Sequence, residues 1–185
     1  MGSLSEFQQQ LILGCVLGDG YMRKKTHAHL QITHSFKQRK YVDWKYQILK
    51  NLVITPPKTY KGNGDRVGYR FFTKSLPELT SIYKRFYSNK VKVVPKDIIL
   101  KPLTLAVWYM DDGSKSYKSC YFNTQGFDLR SQNNLIEALA RLKIRTRLNK
   151  DKQQFRIRVL TSSTPHLMSI IEPYVVKSMR YKIPV

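Results

Sequence analysis

Acidic side chains are scarce in this chain, with 12 Asp and Glu against 33 Lys and Arg in 185 residues, and two of them end apolar runs in the same way. Asp19 precedes Gly20 at the close of residues 12–20 (ILGCVLGDG), and Asp112 precedes Gly113 at the close of residues 105–113 (LAVWYMDDG). If each run is a helix, its carboxylate meets the negative end of the helix macrodipole, which costs from a few tenths to ~1 kcal/mol. If the two helices pack about a pseudo-twofold axis, both carboxylates arrive at one end of the pair and also repel each other. A divalent cation between them relieves both penalties, so the pattern predicts a metal site with Asp19 and Asp112 as ligands. Asp111 is rotated ~100° around the helix from Asp112, so its side chain is secondary. Its backbone carbonyl, like that of Gly18, is a further candidate ligand. A lone Asp-Gly pair usually does no more than stop a helix and turn the chain; its duplication on two apolar helices favours metal chemistry.

The formal net charge of +21 exceeds what solubility needs and makes a polyanion, by default nucleic acid, the expected partner. No apolar run is long enough to span a bilayer and no helix pairs a Lys-rich face with a wholly apolar one, so no membrane partner is expected. Cys15 and Cys120 lie in apolar stretches, and no secretory signal is recognisable, which points to a reducing intracellular setting, an organelle or a bacterial cytoplasm. The segment Gly62–Gly64 is a turn signal rather than a phosphate loop, and the 4 histidines lack metal-site spacing with the 2 cysteines.

The elements that must position the carboxylates emerge from an internal repeat. Residues 73–82 (TKSLPELTSI) return 88 positions later as residues 161–170 (TSSTPHLMSI), sharing T-x-S-x-P-x-L-x-S-I. A common helix-entry signal could explain one such match. Three further landmarks recur in the same order: Asp19-Gly20 with Asp112-Gly113, Phe36 with Phe127, and Lys92 before Pro95 with Lys182 before Pro184. Duplication is the better reading.

Each copy then reads αββαββα. The apolar helices cover about 5–18 and about 102–111. Strands follow at 27–33, where Ala28, Leu30 and Ile32 alternate with His29, Gln31 and Thr33, and at 119–125, where Cys120, Phe122 and Thr124 alternate with Tyr121, Asn123 and Gln125. Helices at 37–52 and 131–142 precede two more strands in each copy, near 58–61 and 66–73, then 145–150 and 154–161. In the last pair Phe155, Ile157 and Val159 point one way, and Arg156, Arg158, Arg145 and Arg147 the other, which makes the open face strongly basic. Helices at about 76–88 and 164–177 close the copies. The expected fold is α+β, with two pseudo-twofold-related halves, 4–88 and 102–185, each with a curved antiparallel sheet, joined by a linker at 89–101 and packed through the motif helices.

The two nine-residue runs resemble the paired motifs of LAGLIDADG homing endonucleases, single-chain type. The second half, especially residues 103–113, Asn123 to Gln125 and Arg180 to Pro184, is similar to yeast mitochondrial intron-encoded members. The resemblance implies that the penultimate acidic residues, Asp19 and Asp112, are metal ligands, and that Lys92 and Lys182 are active-site lysines that stabilise phosphate charge or hold an attacking water. It also implies a polar pocket residue at Gln125. Its first-half counterpart stays open between Thr33, selected by alternation, and His34, selected by the local letters. In the first motif Gly14 and Gly18 allow close helix contact, whereas the second has Val107 and Asp111 there, so the packing is not symmetric in detail.

The resemblance further implies a saddle over duplex DNA with the sheet faces in the major groove. Arg66, Arg70, Arg145, Arg147, Arg156 and Arg158 would meet phosphates or guanine edges, and His29, Gln31, Tyr121 and Asn123 would read bases. The expected activity is site-specific double-strand cleavage with Mg2+ or another divalent cation such as Mn2+, across the minor groove and leaving 3′ overhangs, by a monomer that recognises a long asymmetric DNA site without a protein partner. Two alternatives use the same scaffold: an intron RNA maturase and a non-cleaving DNA-binding regulator. Paired carboxylates near phosphate disfavour the last of these, because binding alone would be better served without them.

Overall fold

The computed structural model describes residues 4–184; Met1, Gly2, Ser3 and Val185, the last residue of the expected second half, lie outside the described residues. Helix α1 (Glu6–Leu17) starts from a capping box in which Ser5 accepts from the Gln8 backbone N–H while the Gln8 side chain accepts from the Ser5 N–H. Its main partner is α4 (Pro102–Asp112), which opens on Pro102 in its first turn. Both helices are apolar nearly all round, which suits helices enclosed by other elements. Leu103 to Asp111 of α4 are all buried, and Leu11, Ile12, Cys15, Val16 and Leu17 of α1 join them in a continuous core.

The expected asymmetry of the motif contact is visible atom by atom. A Cβ on Gly14 would lie 2.6 Å from Val107 Cβ, and one on Gly18 would lie 2.4 Å from Asp111 Cβ. Each glycine therefore meets the residue at the corresponding position of the other motif, small against large.

In the first half, β1 (Tyr21–Lys24), β2 (Ala28–Ser35), β3 (Lys58–Lys61) and β4 (Val67–Phe72) form an antiparallel sheet in the order β1-β2-β4-β3, backed by α2 (Arg39–Leu49) and α3 (Pro77–Phe86). In the second half, β7 (Gly113–Ser116), β8 (Ser119–Phe122), β9 (Thr146–Asp151) and β10 (Gln154–Val159) repeat that order as β7-β8-β10-β9, backed by α5 (Leu129–Arg141) and α6 (Thr164–Ile171). The topology is the expected αββαββα, twice.

Several boundaries differ from expectation. Strand β2 runs on to Ser35, beyond 33, because Thr33, His34 and Ser35 find ladder partners in Arg70, Tyr69 and Gly68. Strand β8 stops at Phe122, short of 125, as the chain turns with Phe127 N–H bonded to the Thr124 carbonyl; the in-out alternation nevertheless continues, with Thr124 buried and Asn123 and Gln125 partly exposed. The last helix ends at Ile171 instead of 177, since Pro173 lacks the N–H that would continue it and a 3₁₀ turn (Glu172–Tyr174) follows. The segment expected as a linker carries a hairpin, β5 (Tyr87–Ser88) with β6 (Val91–Lys92). Its turn residues Asn89 and Lys90 have φ of 48° and 66°, the left-handed pair that a two-residue hairpin turn demands. Among the described residues no helix is long and apolar enough to cross a membrane.

Candidate active site

The ends of α1 and α4 bring Asp19 and Asp112 to one edge of the motif interface, each opening into its own cleft. Asp19 lines a broad cleft of about 950 Å³ with Thr33, His34, Gln38 and Arg66, while Asp112 lines one of about 240 Å³ with Gly18, Lys92, Asn123 and Phe127. Burial together with the charges of Asp19 and Asp111 pushes the Asp112 carboxyl up to about 7. Burial and the Asp111 carboxylate likewise raise Asp19, whose side chain is 46% exposed. Among the described residues no lysine or arginine forms an ion pair with either of these hard oxygen donors, and the set fits a divalent cation.

The two lysines found through the repeat arrive by equivalent routes. Lys92, at the end of the β5–β6 hairpin, donates to the Gly18 carbonyl at 2.7 Å, and Lys182, in the C-terminal 3₁₀ segment (Lys177–Lys182), donates to the Asp111 carbonyl at 2.6 Å. Each ammonium thus sits on the peptide that precedes a motif carboxylate. Burial lowers both lysines from their ordinary range, against the attraction of the nearby carboxylates. The tails that deliver them cross to the opposite half: Val94 donates its N–H to Ser131 Oγ of α5 and its carbonyl accepts from Asn134 of the same helix, while Gln38 beside α2 donates to Tyr181 Oη.

Asp111 is occupied differently from the expectation of a secondary, carbonyl-only contributor. Its buried carboxylate accepts from Lys45 Nζ at 2.7 Å and Tyr41 Oη at 2.8 Å through Oδ1, and from the Asp19 backbone N–H at 3.2 Å through Oδ2. Lys45 also lies 3.1 Å from His34 Nε2, and His34 Nδ1 lies 3.5 Å from Asp19 Oδ2. Burial and the adjacent ammonium lower His34 to about 4, so the ring is neutral near pH 7. With Lys45 donating to Nε2, the ring proton belongs on Nδ1, toward Asp19. Asp19, His34 and Asp111 form a compact ligand-like cluster, but Lys45 already supplies Asp111 with its cation. The fit to a metal therefore rests on Asp19 and Asp112.

Of the candidate pocket residues, Thr33 and His34 both line the Asp19 cleft; His34 reaches the carboxylate, whereas Thr33 sits on the open sheet face and accepts from Gln31. Gln125 is not brought to a motif carboxylate: its amide donates to Asp151 Oδ2 at 2.7 Å. Sequence reasoning missed Lys45 and Tyr41. The available signal was a lysine in the otherwise apolar stripe Tyr41, Val42 and Leu49 of α2.

The open faces carry the other candidates. Ladder register puts His29, Gln31 and Arg70 on one face of the first sheet, together with Tyr21, Arg23, Lys58 and Tyr60, which the sequence reading did not select. Arg70 lies over the Tyr60 ring at 4.2 Å. Arg66 is a correction: it lies in the β3–β4 turn, not in a strand, because its carbonyl closes the turn by accepting the Gly62 N–H. In the second sheet Arg147 pairs opposite Arg158 and Asn149 opposite Arg156, sharing one face with Tyr121 and Asn123. Arg145 precedes β9, its N–H bonded to Ser163 Oγ. Arg156 stacks over the Tyr121 ring at 4.1 Å and reaches Asn123 Oδ1 at 3.4 Å.

With this geometry in view, the LAGLIDADG DNA endonuclease family matches residues 9–167. The chain belongs to that family. This LAGLIDADG protein is 26% identical over 197 residues to a probable intron-encoded endonuclease 1 of Wickerhamomyces canadensis, covering 98% of this chain and 85% of the relative. It is 30% identical to the cytochrome b mRNA maturase bI2 of Saccharomyces cerevisiae, covering 99% of this chain but only 48% of that protein. Its structure resembles the homing endonuclease I-WcaI bound to its DNA recognition sequence, with a TM-score of 0.91 at 25% identity over 99% of this chain and 88% of that one. I-DmoI, in complex with DNA and Mn, shares the fold with a TM-score of 0.63 at 16% identity, over 92% of this chain and 98% of that one.

The Asp112 environment has a consequence for metal-free protein. A carboxyl held at about 7 in the fold and near 4 when unfolded favours folding below pH ~4, and that contribution is lost as pH rises through 7. In EDTA the melting temperature is expected to fall between pH 5 and 8 more steeply for the wild type than for Asp112→Asn, which should be the more stable of the two at pH 8. Equal slopes in thermal melts would show that Asp112 is not under this strain.

Proposed function

We propose that this protein is a metal-dependent, site-specific double-strand DNA endonuclease. The observation that carries the reading is the matched pair of Asp19 with the Lys92-bound Gly18 peptide and Asp112 with the Lys182-bound Asp111 peptide at one end of the motif helices. Two equivalent arrangements with separate clefts suit two phosphodiester cuts. Asp19 and Asp112 would hold the divalent ion or ions, Mg2+ or Mn2+, with the Gly18 and Asp111 carbonyls as secondary candidates. When bound, such an ion polarises a phosphate and acidifies a water. Lys92 and Lys182 would place positive charge beside the scissile phosphates or orient the attacking water. Gln125 and His34 would complete the polar surroundings, Gln125 only if its bond to Asp151 opens.

The two sheet faces would carry duplex DNA, with the halves 4–88 and 102–185 acting as the two arms of a monomer on a long asymmetric site that needs no protein partner, and cleavage would leave 3′ overhangs. Selection of cut sites from a randomised plasmid library in Mg2+ tests the whole reading. Recovery of no cut sequence would sink it. A second reading, RNA maturase activity, is favoured by the likeness to proteins named cytochrome b mRNA maturase. Splicing assays with an intron transcript separate the two, since a maturase that is not a nuclease would act on RNA and leave the library uncut.

Arg156 and Arg158 test the sheet surface. Arg156→Ala is expected to weaken target binding and, if the residue reads a base, to relax specificity at one position by ~1–3 kcal/mol. For Arg158→Ala a phosphate role predicts equal losses on all sequences and a salt slope smaller by about one. Titrations against target and scrambled duplexes at several salt concentrations decide the matter, and unchanged binding by both variants would remove the second sheet from the DNA surface.

A further inference from the structure

We propose that Lys45 is a positioning residue for Asp19, acting through Asp111, and so serves one of the two strand cuts and not the other. The inference rests on the endonuclease reading above, but its geometric basis stands apart from it. At the motif interface Gly18 faces Asp111, and the missing side chain at Gly18 lets the Asp111 carboxylate lie against the peptide that leads into Asp19. That carboxylate grips the Asp19 N–H through one oxygen, while Lys45 and Tyr41 anchor the other. His34, touching Lys45 on one side of its ring and Asp19 on the other, braces the Asp19 side chain from the same ammonium. Lys45 is the hub: it is fully buried and contacts Asp111, His34 and the face of Tyr41.

Among the described residues the arrangement has no equivalent around Asp112. The first-motif position that corresponds to Asp111 is Gly18, which has no side chain to reach the Asp112 peptide. In α5 the buried polar residue Gln132 bonds to Thr124 and the Phe127 carbonyl, holding the loop after β8 instead of a motif carboxylate. Both peptides thus carry a lysine on the preceding carbonyl, but only the Asp19 N–H is also gripped by a buried carboxylate–ammonium pair, whereas around Asp112 the Asn123 N–H binds the Asp112 carbonyl.

Two measurements on Lys45→Met test this. The first is amide hydrogen exchange in metal-free protein. Exchange at Asp19 should accelerate at least tenfold while that at Gly113, which follows the other carboxylate, stays within twofold. The second uses a duplex recovered from the library by the wild type, with each strand end-labelled. One strand should be cut at least tenfold more slowly and the other within twofold of wild type, so that nicked product accumulates. If Lys45→Met does not fold, Lys45→Met with Asp111→Asn removes both buried charges and is read in the same way. Equal slowing of both strands, or unchanged Asp19 exchange, would overturn the proposal, because a purely structural lysine would affect both cuts alike. If the wild type cuts no library member, the endonuclease reading falls, and the exchange result alone supports or overturns the positioning role.

Discussion

Asp19→Asn and Asp112→Asn are each expected to reduce double-strand cleavage by at least about 10²–10³-fold while leaving DNA affinity nearly unchanged or slightly raised. The substitution keeps the shape of the side chain and the helix end that presents it, and removes only the anionic oxygen that a divalent cation requires. Affinity is spared because most attraction comes from the basic sheet faces, and because loss of a carboxylate lessens repulsion toward phosphate. Burial, reinforced by the charges of Asp19 and Asp111, raises Asp112 to about 7, and this environment makes the effect larger than for an ordinary surface carboxylate. Plasmid linearisation assays in Mg2+, paired with binding titrations in Ca2+, check both halves of the expectation. Linearisation at the wild-type rate by either variant would remove that residue from the site, and a matching collapse of binding would assign it a structural role instead.

Lys45→Met should produce the largest loss of stability, about 3–5 kcal/mol, because it strands the buried Asp111 carboxylate without its cation. For a chain of this size that is a fall in melting temperature on the order of 10 °C. Lys45→Met combined with Asp111→Asn should recover most of the loss, since the deficit is an unpaired charge and not a missing contact. The pH dependence follows from the same pair. Burial works against the Asp111 charge, but Lys45 and His34 outweigh it and hold the carboxyl below its ordinary value. Its contribution is therefore present above pH ~4 and is lost as pH falls through the depressed folded value. Lys45, held above its ordinary value by Asp111 despite burial, contributes up to the alkaline range and loses that contribution only as pH rises through its folded value. Thermal melts from pH 3 to 8 should show the wild type losing stability on acidification more steeply than the double variant. Coincident curves for wild type, single and double variants would mean that the pair contributes nothing.

The sequence alone determined the duplication, the order of elements and the two carboxylates, because each is written in local pattern. Apolar runs closed by Asp-Gly, period-two alternation and the repeated helix entry are set by backbone geometry and side-chain chemistry within a few residues. The repeat also paired Lys92 with Lys182, each shortly before a proline though three positions away in one copy and two in the other, and the family resemblance implied their role. The sequence also anticipated that the packing of the two motifs would not be symmetric in detail. Only the tertiary structure decided what depends on residues far apart in the chain. Lys45 and Asp111 are separated by 66 positions and Lys182 and Asp111 by 71, and no periodicity encodes such pairings. Gln125, a pocket residue by the family resemblance, is drawn instead to Asp151 because β8 stops at Phe122 and the chain turns away. His34 and Thr33 are neighbours in the same strand, and the pleat sends one to the motif interface and the other to the open face, so their roles separate only once the sheet is packed against α1 and α4. Local pattern thus specified which elements form and which groups could react, while the buried charge network that holds Asp19 arose from packing between halves, where desolvation makes a lysine and a carboxylate matter most to each other.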